Sequence, residues 1–225
     1  MINVKRGSTT SFDHTDTAFY KRVYIPTGTQ FSNAVKDDCE MLLVFYTWNP
    51  NNAAPIEINS VYASSGATIN ASRVFTLTKT ISNRQHRLTM WRVDNPGSIS
   101  DTQLRFTTSN EGVALVTPYV VDNAYFNSSY YDSGDQMYST DWSPTIVKRG
   151  GFVLGEVLPY GATTPVCNGF EFNLTHDGDY LDATIAMRRG ITNLSHDVEF
   201  TTGSYYCKAG YVSYYPSNQP FPRFV

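Results

Sequence analysis

Apolar and polar residues alternate with a period of two along most of the chain. The alternation is clearest in three consecutive runs between residues 86 and 122, which turn residues at 94–97 and 110–112 separate from one another. A period of two places successive side chains on opposite faces of a strand, and Gly, Pro and Asn end such strands. The pattern predicts that these three runs pair in chain order as an antiparallel meander.

The same pattern extends through the rest of the chain. The most apolar run, 40–48, is closed by Asp on one side and Asn-Pro on the other, which favours a central strand buried on both faces. Further strands are predicted at 19–25, 55–63, 72–79, 150–159, 168–174, 181–188, 198–202 and 204–215. We therefore predict an all-β protein, an antiparallel β-sandwich of the jelly-roll type with about eleven strands and little helix.

The pattern also divides the chain into three parts. Residues 1–18 are polar and without periodicity, so they are predicted to form an extended N-terminal arm. Residues 19–215 are predicted to form one sandwich, which at this size buries roughly 70% of its unfolded surface without disulfide or metal staples. Residues 216–225 are rich in Pro and aromatic residues, and they are predicted to form a tail that cannot join a central strand.

The stretch 119–143 departs from the alternation, because aromatic residues stand in it among Asp, Asn, Ser and Gly. Two interpretations are open for it. It is either a long connection whose rings pack over the edge of the sandwich, or an exposed aromatic binding loop. In the second interpretation the binding residues are Tyr125, Phe126, Tyr130, Tyr131, Tyr138 and Trp142.

The amino-acid composition restricts the classes of partner that the chain is expected to bind. The net charge is -3, only 16% of the residues are charged, and there are 16 Tyr and 13 Phe. Such a chain lacks the positive excess of a nucleic-acid binder, and a surface of Ser, Thr, Asn and Tyr suits protein contact or sugar stacking. No apolar window is long enough for a membrane span, and the first residues lack the apolar core of an export signal. We expect neither nucleic acid nor membrane as a partner.

Candidate chemistry is sparse. Cys39, Cys167 and Cys207 have no metal-ligand spacing and are expected to be reduced thiols. The segment 176–179, together with Asp182, carries carboxylates at the spacing of a calcium loop, but it lacks the bidentate Glu of such a loop. A hairpin turn is therefore predicted here, and calcium binding stays open as the alternative. We expect no catalytic residue, no metal site and no cofactor.

Several groups of residues together resemble a known domain. The segments 39–45 (CEMLLVF), 88–96 (LTMWRVDNP) and 103–107 followed by 113–122 are similar to strands and turns of lectin-like, concanavalin-type jelly rolls of bacteriophage virion proteins. Trp91 with the following Asn-Pro is the most specific part, and the resemblance spans about residues 39–215. The motif residues of that family are structural, so the resemblance implies no catalytic residue.

The resemblance implies a non-enzymatic structural protein of a phage virion, made in the cytoplasm of the bacterial host. Its expected place is the outer surface of the capsid, which it would decorate or cement through contacts with the major capsid protein or other virion proteins. A homo-oligomer, such as a trimer, is expected. The arm and the tail would dock on neighbouring subunits. In the tail the docking residues would be Phe221, Arg223 and Phe224.

Two alternatives remain. One is a module on head or tail that binds a host surface glycan through the aromatic loop. The other is a polysaccharide lyase, because 205–211 (YYCKAGY) resembles a strand of jelly-roll alginate lyases and His86, after Gln85, could supply a base. The arginine-rich strand motif of those lyases is absent, which favours the binding functions over the lyase.

Overall fold

The computed structural model describes residues 2–14, 21–25, 39–49, 56–63, 69–81, 83–94, 103–110, 112–131, 152–159, 171–178, 181–189 and 207–217. Within these ranges the chain forms fourteen strands and no helix, so the predicted all-β class with antiparallel sheets is confirmed. No helix long and apolar enough to cross a membrane occurs in these ranges. The jelly-roll topology stays a prediction.

The strands, in chain order, are β1 (Asn3–Arg6), β2 (Thr10–His14), β3 (Lys21–Tyr24), β4 (Cys39–Trp48), β5 (Ile58–Ala63), β6 (Ala71–Ile81), β7 (Arg84–Asp94), β8 (Gln103–Thr108), β9 (Gly112–Asp122), β10 (Ala124–Tyr131), β11 (Phe152–Pro159), β12 (Glu171–Gly178), β13 (Leu181–Arg189) and β14 (Cys207–Pro216). Of these, β1, β2 and β10 are additional to the predicted strands. The predicted strand at 198–202 lies outside the described residues.

The strands belong to two compact units. The N-terminal unit is Asn3–Asp122, and the C-terminal unit is Asn123–Val225 together with Met1–Ile2. The sequence analysis predicts one sandwich over 19–215, whereas the structure places a boundary between Asp122 and Asn123. Asn123 has a positive φ of 58°, a conformation that Asn adopts more readily than most residues.

The N-terminal unit contains two antiparallel sheets. Sheet A has the strand order β1-β9-β4-β7-β6, with β2 also paired to β9, and sheet B has the order β3-β8-β5. Alternate residues from both sheets form one apolar cluster, which is the arrangement of a β-sandwich core. The buried members are Val23, Ile25, Cys39, Met41, Leu43, Phe45, Ile58, Val61, Ala63, Ile69, Trp91, Val93, Leu104, Phe106, Ala114, Val116 and Val120.

The predicted meander is wrong in its pairing. Strands β7 and β9 lie in sheet A on either side of β4, whereas β8 lies in sheet B between β3 and β5. Alternation shows which face of a strand is apolar, but it does not show which strand lies beside it. The chain therefore passes from sheet A to sheet B and back between β7 and β9.

The finer prediction for the most apolar strand is confirmed. Strand β4 pairs with β7 on one side and β9 on the other, and its residues 41–47 are all buried. In strand β5 the register to β8 shifts between Ile58 and Ser60, which is the irregularity of a β-bulge.

The first fourteen residues are part of sheet A as far as they are described, so the arm prediction needs correction there. Strands β1 and β2 both pair antiparallel with β9, and between them the Gly7 amide donates to the Pro118 carbonyl over 2.7 Å. Val4 is buried and Phe12 packs against the core cluster. A polar segment with few apolar residues can still form an edge strand. Its backbone hydrogen bonds to the neighbouring strand hold it in the sheet, and only a few of its side chains need to be buried.

The C-terminal unit contains sheet C, with the strand order β10-β14-β11-β13-β12. The predicted hairpin between β12 and β13 is confirmed, since Gly178 pairs with Leu181. The register between β11 and β14 runs unbroken through Gly155 and Gly210. At the start of the predicted tail, Pro216 still pairs with Ala124, and residues 218–225 lie outside the described residues.

Candidate functional site

The predicted aromatic loop is a strand in its described part. Residues 124–131 form β10, which pairs along its length with β14, so the loop prediction is wrong for this segment. Its Asn-Ser-Ser sequence lowers the apolar content without preventing the pairing, because a strand at one end of a sheet needs few buried side chains. The later part of the predicted loop, with Tyr138 and Trp142, lies outside the described residues, as do Phe221, Arg223 and Phe224.

Strand geometry separates the aromatic residues that the sequence groups together. Tyr125 and Phe126 lie on opposite faces of β10, because successive side chains of a strand alternate. The Phe126 ring meets the Tyr214 ring edge-on at 5.8 Å between centroids, and Tyr214 in turn lies 6.2 Å from Phe152. Tyr125 is 37% exposed and stands opposite the half-buried Tyr215. In the register, Tyr130 and Tyr131 stand opposite Tyr211 and Gly210.

His86, the base of the lyase alternative, is buried in sheet A. Its Nδ1 atom lies 2.9 Å from the Tyr46 hydroxyl oxygen, and buried Lys79 stands opposite it across β6 and β7. Burial, followed by the charges of Lys79 and Arg84, lowers the pKa of His86 to about 4. The imidazole is therefore neutral at pH 7 and enclosed by protein, which fits a packing role better than proton abstraction from a polymer.

The candidate metal residues give no site in the described part of the chain. Asp177 and Asp182 stand opposite each other in the β12–β13 hairpin, and Asp179 lies outside the described residues. No group of three or more His, Cys, Asp or Glu residues that could hold a metal occurs among the described residues. Cys39 is a buried free thiol that donates to the Asp122 carboxylate over 2.9 Å.

A surface that the sequence analysis did not single out lies on sheet B. Val23, Leu104 and Phe106 turn one face of this sheet into the core, so the alternate residues form the opposite face. We call this opposite face the Tyr/Arg face; its residues are Arg22, Tyr24, Ser60, Tyr62, Gln103, Arg105 and Thr107. Tyr24 is 60% exposed, Arg22 is exposed, and the other five are half-buried.

Two arginines stand directly opposite each other on the Tyr/Arg face. Arg22 of β3 pairs in register with Arg105 of β8, and Arg105 pairs on its other side with Tyr62 of β5. Residues paired in this way have Cβ atoms about 5 Å apart, and like charges at that spacing repel each other. Among the described residues of the face, these two arginines are the charged side chains.

A chain of hydroxyl groups runs beside the arginines. The Ser60 hydroxyl donates to the Tyr62 oxygen over 2.5 Å, and Ser60 Oγ lies 2.6 Å from Thr107 Oγ1. A serine hydroxyl has a single proton, so Thr107 is the donor to Ser60. The Tyr62 oxygen thus accepts from Ser60 within this chain of hydroxyl groups.

Two side-chain contacts join sheet A to the segment just before β5, which is one of the strands of the Tyr/Arg face. Thr47 Oγ1 of sheet A donates to the Ile56 carbonyl over 3.0 Å, just before β5. Arg87 Nη1 lies 2.6 Å from Glu57 Oε1, and this hydrogen bond and charge lower the pKa of Glu57. These two contacts hold the start of β5 against sheet A, which fixes the position of Tyr62 relative to the core.

Comparisons with known proteins add no family to this description. Searches of protein-family models, curated proteins and solved structures each found no match to the chain.

Proposed function

We propose that this chain is a non-enzymatic structural protein of a phage virion that decorates or cements the outer surface of the capsid. In this proposal it binds the major capsid protein or another virion protein through the Tyr/Arg face, and it assembles as a homo-oligomer of jelly-roll subunits. The sequence resemblance supplies the biological setting, and the face supplies the contact.

The observation that supports the proposal is the composition of the Tyr/Arg face on a rigid sheet. Tyrosine and arginine are enriched among the residues that dominate protein–protein binding energy, because they combine a large contact area with hydrogen bonding. Tyr24 is 60% exposed in the described structure, and hydroxyl and amide groups surround the two arginines. A protein partner would cover the Tyr24 ring.

The test is co-sedimentation of the purified chain with capsids that have been assembled without it. We expect the wild-type chain to sediment with the particles and Tyr24→Ala to bind about tenfold or more weakly, as is usual for a central aromatic contact. Tyr125→Ala, which removes an exposed tyrosine from sheet C, is the matched control and is expected to bind like wild type. Failure of the wild-type chain to bind particles would refute the proposed function.

We propose host-glycan binding as the second candidate, supported by the tyrosine pair at the β10–β14 ladder. Tyr125 is exposed and opposite Tyr215, and the nearby Asn127 amide donates to Ser213 Oγ over 2.9 Å. Exposed aromatic rings next to amide and hydroxyl groups suit sugar stacking combined with hydrogen bonding. On a glycan array, a hit that Tyr125→Ala removes and Tyr24→Ala preserves would favour this candidate, whereas an array without hits would reject it.

A further inference from the structure

We infer that β-bulges in the strands at the ends of the described sheets prevent edge-to-edge pairing between copies of this chain. The last strand of a sheet presents a row of backbone amides and carbonyls, with which a strand of another copy can pair. Uncontrolled pairing of this kind leads to aggregation. The inference goes beyond the proposed function and does not depend on it.

Every register shift in the described ladders lies on a strand at the end of its sheet. Strand β6 ends sheet A, β5 ends sheet B, and β10 and β12 are the two ends of sheet C. Each of these strands has one extra residue between two residues that pair with consecutive residues of the neighbouring strand. The extra residues are Asn59 in β5, Val74 in β6, Asn127 in β10 and Asn173 in β12.

The strands at the other ends of sheets A and B are short instead. Strands β1 and β3 have four residues each and β2 has five, whereas the inner strands β4, β7 and β9 have ten or eleven. Short edge strands and bulges are two of the means by which natural sheets limit pairing at their edges. Each end of the three sheets, as far as the structure describes them, therefore has one of these two features.

Strand β6 shows how a bulge limits pairing. Arg73 pairs with Trp91 and Phe75 pairs with the next residue, Met90, so Val74 is the extra residue of the bulge. A bulge bends its strand and increases the local twist, so the outward-facing backbone groups on its two sides no longer form one straight row. A straight strand of another copy can therefore pair with only one side, either 71–73 or 75–81.

The longer of these two sides contains a buried charged residue. Lys79 is 7% exposed and pairs with His86 across β6 and β7. A further strand beside β6 would remove the Lys79 side chain from its remaining water, which is costly for a charged group. Inward-pointing charges are another means by which natural sheets protect an edge. The bulge and Lys79 together therefore disfavour a new neighbour along the whole of β6.

Burial of the core residues does not require the bulge in β5. Ile58, Val61 and Ala63 all belong to the core cluster, and Asn59 is the extra residue. Without Asn59, Ile58 would be followed directly by Ser60, and core and outer positions would alternate regularly through β5. The effect of the bulge therefore lies at the edge of the sheet.

The test removes the extra residue and measures the mass of the full-length chain by size-exclusion chromatography with light scattering. Deletion of Val74 makes the β6 ladder regular, and deletion of Asn59 does the same for β5. We expect each deletion variant to reach at least about twice the weight-average mass of the wild type at equal concentration, because a straight edge pairs with a second copy. The matched controls Val74→Ala and Asn59→Ala keep the bulge and should have the mass of the wild type.

Hydrogen exchange of the β6 peptide, measured by mass spectrometry, locates the contact. In the Val74 deletion variant this peptide should gain protection as the protein concentration rises. In the wild type its exchange should stay constant over a roughly hundredfold range of concentration, and this measurement requires no variant to fold. Urea unfolding shows which variants are folded.

Folded deletion variants with the mass of the wild type would overturn the inference, as would association of the two alanine variants. Association of the Val74 deletion variant without added protection in β6 would place the contact away from this edge, which also contradicts the inference. Protection of wild-type β6 that rises with concentration would show that the edge pairs despite its bulge.

Discussion

Gly112 illustrates how a single residue positions the start of β9. Its φ is +150°, a backbone conformation that residues with a side chain rarely adopt. A Cβ atom at this position would clash with Ile56 Cδ1 and would lie 2.7 Å from the Trp48 carbonyl oxygen. Glycine therefore lets the first residue of β9 approach both the end of β4 and the segment before β5.

We expect Gly112→Ala to lower the free energy of unfolding by about 3 kcal/mol, because it combines overpacking with backbone strain. Urea unfolding monitored by tryptophan fluorescence measures the loss. The control is the double variant with Ile56→Ala, which makes room for the new methyl group. Its loss should be smaller than the sum of the two single losses, and strict additivity would contradict a clash between these two positions.

His86 predicts a dependence of stability on pH. Burial lowers the pKa of His86 from the unfolded value of 6.5 to about 4 in the folded chain. Between these two values the unfolded chain binds more protons, so the stabilisation is complete above pH 6.5 and is lost as the pH falls toward 4. From pH 7 to pH 5 we expect this residue to account for a loss of about 2 kcal/mol.

Urea unfolding of the wild type and of His86→Gln at pH 7 and pH 5 isolates this contribution, because glutamine does not titrate. The variant should lose less stability over this interval than the wild type. Glu57 does not interfere, since its lowered pKa places its own loss below pH 4.5. Parallel losses in the two proteins would show that His86 is protonated equally in the folded and unfolded chains.

At the scale of elements, β9 is paired on both edges. Strand β4 lies along one edge over ten residue pairs, and β1 and β2 share the other edge. The N-terminal segment thus closes an edge that would otherwise expose backbone amides and carbonyls to other chains. This placement changes the expected effect of truncating the first residues, because their removal opens sheet A as well as deleting an arm.

We expect removal of residues 1–14 to abolish the exchange protection of those β9 amides that donate to β1 and β2. The β9 amides that donate to β4 should keep most of their protection, since that ladder remains. Hydrogen exchange of both sets by NMR, with the β4–β7 ladder as the internal control, measures the difference. Unchanged protection along β9 would mean that this edge is not covered by residues 3–14 in solution.

The limits of sequence prediction are visible in individual strands. Strand β8, Gln103–Thr108, is the second of the three runs predicted between residues 86 and 122, because Leu104 and Phe106 alternate with polar residues and turns flank them. Its neighbours β3 and β5 were not predictable, because pairing depends on long-range packing that alternation does not encode. The Tyr/Arg face was missed for the same reason: Arg22, Tyr62 and Arg105 become neighbours only after three distant strands pair.

At the scale of the whole molecule, the described core of the N-terminal unit comes from one continuous stretch of sequence. The described buried residues of its apolar cluster lie between Val23 and Val120, inside the unit Asn3–Asp122. The strand patterns on both sides of Asp122 are alike, so the sequence predicts one sandwich over 19–215. Pattern reveals strands, whereas the division into units follows from which strands pack together.

We expect a fragment of residues 1–122 to fold without the rest of the chain, because it contains both sheets of the sandwich and their shared core. A single cooperative urea transition, together with a near-ultraviolet circular dichroism signal from the buried Trp91, would be the expected result. The full-length chain serves as the reference. A fragment with strand content but without a cooperative transition would contradict the prediction.

The crossing of the chain between the two sheets has a consequence for synthesis on the ribosome. Strands β1 and β2 are made first, yet their partner β9 begins only at Gly112, and β3 must wait for β8. The earliest segments of the nascent chain therefore remain unpaired until most of the N-terminal unit has been translated. Chains that stop before β9 would expose unpaired strand edges and core residues without their packing partners. We therefore expect them to aggregate more readily than the complete chain.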